Sequence, residues 1–169
     1  MTDTPNATAD CAAIVINALK KRDINELREI SHQCSEEAAL GQDERKIQAA
    51  IVTYCFNKLL SKVHYRDKVD ELTNASIEAA TRGDFPKVLA LIEEFDRKYS
   101  FFEGSLVQKA KVKVASRLYS SGLSIARSAE LLGASVSDVL DYVGVTRVHS
   151  DVQSMTVAER LKIARSVFK

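Results

Sequence analysis

From Thr8 onward, apolar side chains return at intervals of three and four residues, the period of one face of an α-helix, and no segment sustains the alternation of a strand. Ile14, Ala18 and Leu19 trace a first helix, and Ile24, Leu27, Ile30, Cys34 and Ala38 trace a second. Asp23 is placed to cap the second helix, with Glu26 three residues on completing a capping box, and Gly41 is expected to close it. A third helix is predicted from about Asp43 to His64 along Ile47, Ala50, Ile51, Tyr54, Cys55, Leu59 and Val63, with the stem of Lys58 at its edge. Another runs from about Lys68 to Arg82 and ends at Gly83. Asp84 then caps a helix through Val88, Leu91, Ile92 and Phe95, with Pro86 in its first turn. After a loop from Ser100 to Gly104, a further helix covers Ser105 to Ser121. The spacing therefore predicts an all-α fold: an antiparallel helical bundle or array over 8–104, and a helix-turn-helix region with a terminal helix over 105–169.

Residues Met1 to Ala7 are polar, contain Pro5 and have nothing to pack, so they read as a loose tail. With 169 residues, 46% of them hydrophobic, the rest can bury a core without disulfides or metal staples. Cys11, Cys34 and Cys55 are odd in number, lie on apolar helix faces and lack the close pairing of a zinc site, so they read as reduced, buried thiols. The longest wholly apolar run, Ala12 to Ile16, is far short of the roughly 20 residues that span a bilayer, and no signal peptide precedes it. The expectation is a cytoplasmic protein with no membrane association.

The near-neutral net charge of +1 hides a division. Residues 1–104 hold 14 basic and 18 acidic side chains, whereas 105–169 hold 10 basic and 5 acidic. Only the C-terminal part is suited to face a polyanion.

The segment from Gly122 to Gly144 has the spacing of a helix-turn-helix. Ala129 falls where the two helices cross and only a small side chain fits. Gly133 falls in the turn, where a left-handed backbone is needed. Ser128, Leu132, Ala134, Val139 and Tyr142 take the inward positions, Ser135 with Asp138 opens the second helix, and Gly144 is expected to stop it. A reading helix contacts bases through its first exposed residues, which here are Val136, Ser137, Asp138 and Asp141; two of these are carboxylates that a phosphate-lined groove repels. The candidate DNA-binding residues are thus Ser135 and Ser137 with Arg117, Arg127, Arg147 and His149 around them, and Lys109, Lys111 and Lys113 upstream either contact phosphate or form a solvated surface.

Thr146 to Ser154 reads as an exposed polar connection. Thr156 with Glu159 then caps a last helix in which Val157, Leu161, Ala164 and Phe168 share one stripe. Ala18, Asp23, Ile24, Leu27 and Ile30 also align with Ala79, Asp84, Phe85, Val88 and Leu91 at a fixed offset of 61, which suggests either a short duplication or two similar helical hairpins. The turn Arg82-Gly83-Asp84-Phe85 resembles half of a tetratricopeptide hairpin, which implies antiparallel packing of a kind that often binds proteins.

The pattern of Tyr119, Gly122, Ser124, Ala129-Glu130-Leu131, Gly133 and Ser135 resembles the small antitoxin-like helix-turn-helix proteins of archaea and bacteria, and the chain as a whole looks like a conserved archaeal protein. The first resemblance covers about a sixth of the chain and implies operator binding, often in partnership with a nuclease toxin. The helices before Leu118 have no counterpart in those short proteins. No catalytic group, cofactor or metal is expected. His32, His64 and His149 are dispersed, the pairs Glu36-Glu37 and Glu93-Glu94 point apart on a helix, and the glycines form no phosphate loop. Two functions remain in view: a transcriptional regulator that binds double-stranded DNA and self-associates or contacts protein through its N-terminal module, or a protein-interaction adaptor whose helix-turn-helix no longer binds DNA.

Overall fold

In the first two hairpins the turn chemistry decides where helices begin and end. Helix α1 (Ala7–Lys21) gives way at Arg22, which takes a left-handed φ of 53°, to helix α2 (Ile24–Gly41). Asp23 caps α2 by accepting hydrogen bonds from the N–H groups of Asn25 and Glu26 at 2.9 and 3.1 Å. Only this half of the capping box forms, because the Glu26 carboxylate turns to Lys21 at 3.2 Å. Gly41 does not act as the stop. It stays helical, and Gln42 takes the left-handed position with φ 50°. The computed structural model describes residues 7–154, so the final helix expected from Thr156 lies outside the described residues.

Helix α3 (Glu44–Leu60), capped by Asp43, buries Ala49, Val52, Thr53 and Phe56 as well as the Ile47, Ala50, Ile51, Cys55 and Leu59 of the expected stripe. A helix buried around most of its circumference belongs at the centre of a bundle, and α3 packs against α1, α2 and the helices that follow. It ends at Leu60 rather than His64, because Val63–Tyr65 winds into a single 3-10 turn. That turn leads straight into α4 (Arg66–Thr81), two residues ahead of the expected start.

Helix α5 (Phe85–Tyr99) starts at Asp84, whose carboxylate accepts from the Lys87 N–H at 3.0 Å, with Pro86 in the first turn. The offset of 61 relates more than apolar spacing: Asp23 and Asp84 both cap, and Arg22 and Gly83 (φ 53° and 75°) both take the left-handed conformation just before. Beyond α5, Tyr99 stacks on Phe101 with ring centroids 5.5 Å apart, and Phe95 and Tyr65 close an aromatic cluster over the loop.

Helix α6 (Leu106–Ser120) is capped from two sides. Ser105 Oγ accepts from the Gln108 N–H, and the buried Asp96 of α5 accepts from the Leu106 N–H at 2.8 Å. Leu106, Val107, Ala110, Val114 and Leu118 are buried, and α6 packs against α2, α3 and α5 on one side and the last two helices on the other. Those are α7 (Ile125–Leu132) and α8 (Val136–Ser154). The buried apolar side chains form one continuous cluster from Cys11 on α1 to Val139 on α8. Among the described residues every regular element is helical, and no helix is long and apolar enough to cross a membrane.

Two expectations for the end of the chain are corrected. Gly144 does not stop α8, and Thr146 to Ser154 is helix rather than connection. Gly144 is absent from the left-handed positions and has open space around it; a glycine inside a helix weakens it by about 1 kcal/mol without ending it.

Candidate functional site

Three residues, Gly133, Ala134 and Ser135, separate α7 from α8. Ser124 caps α7 through the Arg127 N–H at 3.2 Å, and Ser128 Oγ donates back to the Ser124 carbonyl at 2.9 Å. Gly133 supplies a φ of 58°, which lets the Ala134 N–H return to the Ala129 carbonyl at 2.9 Å. Ser135 then caps α8 by accepting from the Asp138 N–H at 3.4 Å. Ala129, Ser128, Leu132 and Val139 are buried and Tyr142 is half-buried, so the inward positions fall as the spacing predicts.

The outward face of α8 carries Val136, Leu140 and Val145, which are 44%, 49% and 60% exposed. Ser137, Asp138 and Asp141 lie among them, also exposed, and no lysine or arginine occurs from Val136 to Val145. Neither aspartate forms an ion pair among the described residues. Where this helix meets α6, a groove of about 590 Å³ is lined by Lys109, Val112, Tyr142, Val145 and the two aspartates.

Two of the arginines proposed for phosphate, Arg117 and Arg127, do not line this face. Arg127 is turned toward the start of the bundle: its Nε and Nη2 donate to Gln42 Oε1 at 2.9 and 2.6 Å, and its Nη1 meets Glu130 at 2.8 Å. Arg117 points across to α2, where Nη1 donates to Ser31 Oγ at 2.8 Å and Nη2 to His32 Nε2 at 3.0 Å. Ser135 is occupied as the cap of α8, and Ser137 is exposed beside it. The backbones of Arg147 and His149 continue α8, and their side chains lie outside the described residues.

Arg117 belongs to a second feature, a cleft of about 280 Å³ between four helices. Helix α2 contributes Arg28, Ser31 and His32, and α3 contributes Tyr54 and Lys58. Helix α6 adds Lys113 and Arg117, and α8 closes the cleft with Tyr142. Among the described residues no carboxylate lines it. Lys113 Nζ donates to the Tyr142 hydroxyl at 2.6 Å and stands 5.0 Å from the centre of its ring, while Lys58 lies 5.6 Å from the Tyr54 ring. Arg28 Nη2 donates to Asn25 Oδ1 at 3.4 Å and its Nε stands 3.9 Å from Glu29, outside the lining. Arg117 Nε is buried with no hydrogen-bond partner among the described residues.

The electrostatics follow from this geometry. Burial pulls the Arg117 guanidinium below the usual arginine range, with Tyr54 and Tyr142 acting in the opposite direction. A guanidinium can only donate, so His32 Nε2 is the acceptor and the imidazole is neutral with its proton on Nδ1. Burial lowers the His32 pKa, and Arg117 and Lys113 lower it further against the opposing pull of Glu29 and Glu36. Burial likewise raises the pKa of the Tyr54 hydroxyl. A groove of about 450 Å³ lined by the same His32, Lys113, Arg117 and Tyr142 extends past Tyr119 to Leu123 and Val143.

The sequence signals Arg117 but not its companions. Arg28, His32, Tyr54 and Lys58 come from helices whose apolar stripes read as core, and only the packing of α6 against α2 and α3 brings them together. The cysteines also meet in a way their spacing conceals. Cys11 and Cys34 are buried with their sulfurs 3.4 Å apart, and Cys55 is buried alone in α3. Among the described residues no three His, Cys, Asp or Glu side chains are grouped to hold a metal. Comparison with family models, curated proteins and solved structures finds no match for this chain.

Proposed function

We propose that the chain is a helical protein-interaction module in which α7 and α8 form a helix-turn-helix unit used to dock a protein rather than to read DNA. The observation that carries this reading is the outward face of the first half of α8, where Val136, Leu140 and Val145 are exposed beside Asp138 and Asp141 and no lysine or arginine occurs from Val136 to Val145. Desolvating exposed apolar side chains drives protein association, whereas carboxylates at the reading position repel a phosphate-lined groove. The groove between α6 and α8 suits an amphipathic segment whose apolar side chains are flanked by lysine or arginine. Intramolecular engagement of Arg117 and Arg127 removes two of the arginines that would hold phosphates.

The DNA-binding reading keeps one favourable observation: the sequence after Ser105 is basic, and α8 carries Arg147 and His149 on its distal half. One pair of measurements separates the two. Protein binding is expected to survive Arg127→Glu and to be lost in Leu140→Asp, while duplex DNA shows no salt-dependent shift at physiological ionic strength. Retention of every protein partner by Leu140→Asp, together with duplex binding that weakens with salt and with Arg127→Glu, overturns the proposal.

A further inference from the structure

The cleft between α2, α3, α6 and α8 gathers positive charge. Among the described residues Arg28, Lys58, Lys113 and Arg117 line it, and no aspartate or glutamate does. Folding gathers these like charges, which destabilises the empty cleft by mutual repulsion and leaves a standing attraction for an anion. The donors are also pre-set. Ser31 and His32 hold the Arg117 guanidinium in place by two of its nitrogens, and Tyr142 holds the Lys113 ammonium. A bound phosphate would meet these fixed cations and Lys58 without reorganising the side chains that present them.

We propose that this cleft binds a nucleoside phosphate. The basic end, at Arg28, Lys58, Lys113 and Arg117, takes the phosphate. The connected groove takes the base and sugar, because there the same Lys113 and Tyr142 give way to Tyr119, Leu123 and Val143, which offer apolar and aromatic surface but no further cation. Volumes of about 280 and 450 Å³ for the two overlapping parts fall at the scale of small-molecule sites and leave no room for a duplex. A metal ion is disfavoured by the charge of the lining. The site shares Tyr54 and Tyr142 with the groove between α6 and α8, but its cations come from α2, α3 and α6 and not from the outward face of α8.

The test is calorimetric titration and thermal unfolding of the full chain at physiological salt with adenosine 5′-monophosphate, its guanosine, cytidine and uridine counterparts, inorganic phosphate and adenosine. At least one nucleotide is expected to bind saturably and raise the melting temperature, phosphate to bind about tenfold or more weakly, and adenosine not to bind at all. Lys58→Gln at the exposed rim and Lys113→Gln are each expected to weaken nucleotide binding about tenfold. Circular dichroism and melting of the unliganded variants show that they remain folded. No binding by any nucleotide at millimolar concentration overturns the proposal. So does binding that both substitutions leave unchanged, and phosphate binding as tightly as the nucleotides overturns the assignment of the aromatic end.

Discussion

Arg127 of α7 holds Gln42 Oε1 with two guanidinium nitrogens at 2.9 and 2.6 Å, and Gln42 is itself the left-handed residue that ends α2. A non-glycine residue in that conformation is strained by about 1–2 kcal/mol, and the paired hydrogen bonds from Arg127 offset part of it. The contact ties the α7–α8 pair to the opening of the bundle. Arg127→Ala is expected to lower stability by no more than about 1 kcal/mol, since the pair is exposed. It should also speed amide exchange at Gln42 and Asp43 in native-state hydrogen-exchange measurements. Unchanged exchange there would show that the contact does not restrain the turn.

Ser31 links three helices at one buried oxygen: it donates to the Ala50 carbonyl of α3 at 2.9 Å and accepts from Arg117 of α6 at 2.8 Å. Ser31→Ala removes both bonds and leaves a half-buried guanidinium short of an acceptor. The expected loss in urea unfolding is about 1–3 kcal/mol, with Ser31→Thr recovering part of it.

Ser100 ends α5 with φ 48° and forms no side-chain hydrogen bond that would explain the choice of a non-glycine residue. Ser100→Gly is expected to raise stability by about 0.5–1 kcal/mol, the relief of left-handed strain exceeding the added freedom of the unfolded chain. Urea or thermal melts check this directly. Arg22 is the contrasting case, because its side chain pairs with Asp70 at 2.6 Å, and glycine there would lose that contact.

His32 makes stability sensitive to mild acid. Its pKa in the folded chain lies below the ordinary 6.5, because burial and then Arg117 disfavour the cation, so the unfolded chain takes up the proton first as pH falls. Unfolding free energy therefore drops as pH decreases through about 6.5 and stops dropping below the folded-state pKa. His32→Gln keeps an acceptor for Arg117 and should flatten the profile in that window. Loss of stability from the carboxylates, such as Glu37 held low by Lys46, falls at lower pH.

The three thiols should respond unequally to an alkylating reagent at neutral pH. Cys55 is fully enclosed and its pKa is pushed well above the thiol range by burial, so it should react only on global unfolding. Cys11 and Cys34 share a hydrogen bond in which either sulfur can donate, and both retain slight exposure, so they should label ahead of Cys55. Peptide mapping by mass spectrometry reads the order.

What the sequence makes legible here is local. Asp23, Asp84 and Ser135 cap as their spacing predicts, because a cap is decided within four residues. Gly144 misleads because a glycine is permissive in either backbone conformation, and its neighbours rather than its identity determine which one it takes. Gln42 is unexpected at a left-handed position because its restraint, Arg127, lies far along the chain. The cleft escapes for the same reason: Ser31 and His32 meet Arg117 only through the packing of α2 on α6, and each reads in isolation as an ordinary helix residue. The outward face of α8, by contrast, is legible in the order of Val136, Ser137, Asp138 and Asp141, whereas the exposure of Leu140 and Val145 emerges only from the packing.

The aromatic cluster over the loop after α5 has an optical consequence. The chain contains no tryptophan, so its near-ultraviolet circular dichroism depends on tyrosine and phenylalanine held in fixed asymmetric surroundings. Tyr65 and Tyr99, two of the five tyrosines, pack against Phe101 at centroid distances of 4.2 and 5.5 Å. Part of that spectral band therefore reports docking of one loop onto the end of α5, with Tyr54, Tyr119 and Tyr142 contributing the rest. It can fade while far-ultraviolet helicity persists, and a mismatch between the two melting curves would reveal local release of that loop rather than a folding intermediate of the whole molecule.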